Sequence, residues 1–105
     1  MTTVSLLKQN GRFFGFSSQG HSGRAEAGED VVCAAVSEAV RFAGNLLEAF
    51  GHKVEVKAGE KKAEINLSVK RPDAVSESVF GTFLSEMRLI EEEYPKNVVI
   101  HILEV

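Results

Sequence analysis

Residues 53–69 read KVEVKAGEKKAEINLSV. Lys53 to Ala58 alternates strictly, Gly59-Glu60 marks a turn, and Ala63 to Val69 alternates again. A period of two puts every second side chain on one face, so the stretch predicts two half-buried strands. On both sides of it the period changes. Upstream, Val32, Val36, Ala39, Val40, Ala43, Leu46, Leu47 and Phe50 recur at helical spacing, with Asp30 placed to cap the helix and Gly51 to stop it. Downstream, Arg71-Pro72-Asp73 ends the second strand. Val75, Val79, Phe80, Phe83, Leu84, Met87 and Ile90 then form the stripe of a second helix, roughly Asp73 to Glu93, closed by Pro95.

Further out lie more strands. Val4 to Lys8 is β-compatible, Asn10-Gly11 suits a hairpin turn because both residues tolerate positive φ, and Arg12 to Phe16 (RFFGF) returns. Gly15 marks a bulge or a close backbone approach. In a regular strand Phe13 points opposite to Phe14 and Phe16, so an exposed Phe is expected to line a substrate groove or a dimer interface. Val98 to Val105 (VVIHILEV) is apolar on both faces, which predicts a central strand. The order ββαββαβ predicts an α+β fold, a mainly antiparallel sheet with two helices packed on one face. Its 105 residues fit a single domain, 1–105.

The bulk composition narrows the function. Apolar residues make up 44% and charged residues 26%, and the net charge is −3 with both signs interspersed. No basic block suggests a phosphate-tracking surface, so direct nucleic-acid binding is not expected. No stretch approaches the ~18 apolar residues of a membrane span. Met1 to Lys8 has no basic segment followed by a long apolar run, and the one cysteine, Cys33, cannot form an internal disulfide. Both observations predict a cytoplasmic protein.

The stretch from Ser17 to Glu29, SSQGHSGRAEAGE, breaks every period. It holds three glycines, Gly20, Gly23 and Gly28, and no large apolar residue. Structureless loops of about a dozen residues are often functional. Cys33 follows at the expected start of the first helix, where free backbone N–H groups and the helix dipole favour an anion. Thiolate is the nucleophilic form of cysteine, and such positions promote it. The glycines let His21 fold back over the helix start as general base and acid, while N–H groups of the first turn bind an oxyanion. Ser37 lies one turn on, on the same face as Cys33. Asp30 caps, or orients His21.

Plainer readings stand beside these. A lone Cys among Val and Ala also fits a small buried hydrophobe, and a loop His fits a solvated one. His52 is expected at the surface and His101 in the core or on a sheet face. No third residue near His21 and Cys33 has metal-ligand spacing, so neither metal nor cofactor is expected. Glu91 to Glu93 reads as a solvated helix end, although the dipole there disfavours acids. A redox enzyme would want a resolving cysteine, which the chain lacks.

The segment Gly20 to Ser37, GHSGRAEAGEDVVCAAVS, resembles the signature of the ribosomal-processing cysteine protease family (Prp). Gly20-His21, Gly28-Glu29-Asp30 and Val31-Val32-Cys33-Ala34-Ala35-Val36-Ser37 match its three elements in order. Ser22 departs from it, since many members carry Ala there. The resemblance implies Cys33 as nucleophile, His21 as base, Ser37 as a site residue, and a mobile loop over the site at Gly23 to Gly28. It also implies a homodimer. The implied substrate is the precursor of the twenty-seventh protein of the large ribosomal subunit, whose N-terminal extension is removed. The alternative is a non-enzymatic, ribosome-associated binding module with a structural Cys33.

Overall fold

The computed structural model describes residues 1–20, 29–59 and 64–105. Asn10 and Gly11 both adopt positive φ (54° and 76°), as a two-residue primed turn requires. They join β1 (Thr2–Gln9) to β2 (Arg12–Gln19). Helix α1 (Glu29–Ala49) follows, then β3 (Val54–Ala58), β4 (Glu64–Val69), α2 (Ala74–Glu93) and β5 (Val98–Glu104). The strands form one sheet in the order β3-β4-β2-β1-β5, antiparallel except for the parallel β1–β5 pair. This is the predicted α+β fold with the predicted element order.

Gly15 meets both expectations placed on it. Leu7 pairs with Gly15 and Lys8 with Phe13, so Phe14 is the extra residue of a bulge. A Cβ on Gly15 would run into the carbonyl oxygen of Leu67 on β4. The bulge corrects the reading of the phenylalanines. It breaks the alternation, so Phe13 and Phe16 are both buried, at 6% and 0% exposure. Phe14 is half-buried and lines a hollow with Arg12 and Lys70, at the hairpin end of the sheet.

Phe16 anchors the core. Its ring stacks on Phe83 (centroids 4.2 Å, 12°) and meets Phe80 edge-on (6.1 Å, 80°). Both arrangements suit the ring quadrupole, and each is worth about 0.5–1.5 kcal/mol beyond burial. Val32, Val36, Ala43 and Leu47 bring α1 onto this cluster, and Val79 and Met87 bring α2. Two predicted stripe residues stay outside it: Phe50 and Val75 are exposed.

Strand β5 corrects a second expectation: it lies at an edge, not in the centre. Val98 and Ile100 are buried, whereas His101 to Glu104 are exposed. Edge strands present unpaired backbone groups, and here the Ile100 N–H donates to Glu91 Oε2 (3.2 Å). That contact gives one residue of the 91–93 acidic run a structural role, strengthened by Arg88 on Glu91 Oε1 (3.1 Å).

Helix α2 opens with a capping box. Ser76 N–H donates to Asp73 Oδ1 (2.8 Å), and Asp73 N–H donates to Ser76 Oγ (2.8 Å). The same Asp73 oxygen holds His52 Nε2 at 2.9 Å, and the His52 side chain is only 9% exposed. His52 is therefore packed against the start of α2, not solvated as expected. His101 is on the sheet but exposed.

Candidate active site

Helix α1 begins at Glu29, two residues earlier than an Asp30 cap implies. Asp30 is thus its second residue and not its cap, and its exposed position leaves it on the helix surface. Cys33 is then the fifth residue of α1. Its own N–H falls beyond the four that lack an intrahelical partner.

Cys33 is free and half-buried. It lies at the end of the sheet where β1 starts and β2 ends, over an open hollow of about 370 Å³. Thr2, Ser18 and Gly20 form the strand side of the hollow, Ser37, Val40 and Arg41 the helix side, and Ile65 of β4 its flank. The structure therefore brings Cys33, Ser37 and Gly20 to one place. Ser37 is exposed and makes no side-chain hydrogen bond to another described residue. Arg41 is engaged by Glu38 at 3.2 Å, a well-exposed pair of the kind that adds little stability. His21, Gly23 and Gly28 lie outside the described residues.

Reading the sequence missed Thr2. Its hydroxyl sits 3.6 Å from the Cys33 sulfur, and the residue is 2% exposed. The signal was present in the row Thr2, Val4, Leu6. These alternate residues all face the helices, and the first carries a hydroxyl where the others are aliphatic.

The hollow can seat a peptide segment. Val40 and Ile65 offer apolar contact, Ser18 and Ser37 offer hydroxyls, and the sulfur is within it. No phenylalanine is among its described lining residues, so the exposed-Phe expectation for the groove does not hold. A wider apolar groove between the helices, past Phe42, Leu46 and Phe83, contains no cysteine among its described residues, and their one hydroxyl, Thr82, donates to the Ser78 carbonyl oxygen (2.8 Å). Among the described residues no three His, Cys, Asp or Glu side chains gather as a metal site. No described helix is long and apolar enough to cross a membrane.

The family model for the cysteine protease Prp matches residues 1–99. No curated protein sequence matches the chain. Among solved structures, SMU.848 from Streptococcus mutans is 23% identical, with a TM-score of 0.87 over 100% of this chain and 99% of that one. The essential ribosomal processing protease Prp from S. aureus in complex with a substrate peptide is 20% identical, with a TM-score of 0.88 over 98% and 100% of the two chains. The same S. aureus protease with a covalently linked product peptide is 21% identical, with a TM-score of 0.82 over 98% and 100%. At these identities the solved structures establish the shared fold.

Proposed function

Since this chain belongs to the Prp family of cysteine proteases, we propose that it is a ribosomal-processing endopeptidase with Cys33 as nucleophile and His21 as general base and acid. Its substrate is the precursor of the twenty-seventh protein of the large ribosomal subunit, from which it removes an N-terminal extension. The observation that carries the site assignment is the placement of Cys33. A structural cysteine belongs in the core, whereas this sulfur is half-buried and borders an open hollow. The substrate and product peptides bound to the S. aureus protease support a peptide substrate here.

The chemistry follows from these roles. His21 takes the thiol proton, the Cys33 sulfur attacks the scissile carbonyl carbon, and the C–S bond forms as the carbonyl oxygen takes the negative charge. The C–N bond then breaks, and His21 gives its proton to the departing amine. Water, deprotonated by His21, hydrolyses the thioester and frees the sulfur. Ser37 is placed to hold a substrate segment in the hollow. The same reading includes a homodimer and a cytoplasmic location, with the dimer checked by light scattering on the eluting peak.

The test is cleavage of a synthetic peptide that spans the extension junction of the host's own precursor. Wild type is run beside Cys33→Ala and His21→Ala. Cleavage by wild type alone is expected. Cleavage that survives Cys33→Ala would remove the nucleophile assignment, and no cleavage by wild type would remove the substrate.

A further inference from the structure

Thr2 occupies a position whose neighbours call for an aliphatic residue. Val4 and Leu6, the next two residues of the same inward row, are fully buried. Thr2 is equally enclosed, at 2% exposure, and valine would fill the same volume without burying a hydroxyl. A buried hydroxyl without a partner is destabilising, and the contact recorded for Thr2 Oγ1 is with the Cys33 sulfur at 3.6 Å. The backbone holds this hydroxyl in place. Thr2 N–H donates to the carbonyl oxygen of Asn97 (2.8 Å), and Thr2 pairs with Val98 and its strand with β2. The β-branched side chain then leaves little freedom at χ1.

We propose that Thr2 is a positioning residue for the nucleophile, its hydroxyl donating a hydrogen bond to the Cys33 sulfur and holding it as an anion facing the hollow. This rests on Cys33 being the reactive group, as in the function proposed above. The direction of the bond decides its effect. A thiol S–H is a weak donor, so the bond in which Thr2 accepts has little strength. A hydroxyl donating to a sulfur anion is charge-assisted and stronger. Hydrogen bonding to the charged form of a group favours that form. The hydroxyl therefore favours the attacking form of the sulfur, and it also limits where the side chain can point. It approaches the sulfur from the sheet side, opposite the helix side of the hollow.

The two directions predict opposite results. Thr2→Val keeps the shape and removes the hydroxyl, and Thr2→Ser keeps the hydroxyl. The experiment follows alkylation of Cys33 by iodoacetamide against pH in wild type and both variants, with peptide cleavage measured in parallel. Thr2→Val is expected to slow alkylation at pH 7 by roughly 3- to 10-fold, with the profile displaced to higher pH and the rates converging at its alkaline limit. Thr2→Ser is expected to stay within about twofold of wild type. An unchanged or faster Thr2→Val would overturn the proposal, as would equal slowing in both variants, which marks a packing role. The outcome is separable from that of the proposed function. If wild type cleaves no precursor peptide yet Thr2→Val shows the displaced profile, the substrate assignment fails and the Thr2 contact stands. If cleavage depends on Cys33 and the profile does not move, the reverse holds.

Discussion

The two ends of the sheet are built differently. At the hairpin end, side chains close off the backbone. Phe13 N–H donates to Glu77 Oε1 (2.9 Å), Gly11 N–H to Glu104 Oε1 (3.1 Å), and Arg12 Nη1 to the Pro72 carbonyl oxygen (3.1 Å). Lys8 Nζ lies 4.5 Å from the centroid of the Phe13 ring, and His52 and Asp73 meet beside them. At the other end, roughly 25 Å away along β2 at the usual rise per residue, Cys33 borders a hollow and the described polar side chains Ser18 and Ser37 face it. Polar groups at the first end are spent on the fold. Those at the second remain available to a ligand. The side-chain ties of the fold and the candidate site thus lie at opposite ends of the same strands, with the Phe16 cluster between them.

The sharpest way to break this separation is Cys33→Ala. Peptide cleavage should fall by more than about a thousandfold, as when a protease loses its nucleophile. Unfolding in urea should change by no more than about 1–3 kcal/mol, because the Cys33 side chain is only half-buried and the main loss is the contact of the buried Thr2 hydroxyl with the sulfur. A larger loss would mean that the open end also carries the fold.

Phe16→Ala tests the middle. Removing a fully buried ring that contacts both Phe80 and Phe83 should cost about 3–5 kcal/mol in urea unfolding. That is a large share of the stability of a domain this size. Glu77→Ala tests the closed end, since it leaves the Phe13 N–H without its acceptor. A loss of about 1–3 kcal/mol is expected, with the alkylation rate of Cys33 within about twofold of wild type. A larger change in reactivity would show that the ends communicate.

The smallest effect is a pH dependence at Asp73. The Ser76 backbone N–H, and then the hydrogen bond and charge of His52, hold the Asp73 carboxyl below its ordinary range. A carboxylate depressed in the folded state stabilises above its unfolded value, about 4. That contribution disappears as pH falls through the lower folded value. The stability gap between wild type and Asp73→Ala should therefore be present at pH 7 and should narrow below about pH 4, as read from thermal melts.

Local rules made most of the fold legible. Asn10-Gly11 fixed the first hairpin, Gly15 pointed to a bulge or a close approach and has both, and the two helical stripes needed only their period. What escaped needed tertiary information. Apolar content on both faces of Val98 to Val105 measures burial near its start, but does not say which strand lies beside it. A one-residue bulge reversed Phe13, because strand alternation fails wherever a residue is left over. His52 found its partner 21 residues away, at Asp73, across a chain reversal that no periodicity reports. At the candidate site, the Cys33–Ser37 spacing was readable because a helix turn is a local object. Thr2 escaped because the alternation taken from Val4 stops short of it, and its place in the row Thr2, Val4, Leu6 shows only once β1 is seen to start there.

The parallel pairing of β1 with β5 has a consequence for timing during synthesis. Thr2 leaves the ribosome long before Asn97, whose carbonyl anchors it, and Val98, its strand partner. A nascent chain that has already exposed Cys33 therefore lacks the strand that fixes the floor beneath it. The sulfur acquires these surroundings only when translation has delivered β5, so they are absent while the growing polypeptide is still unfolded.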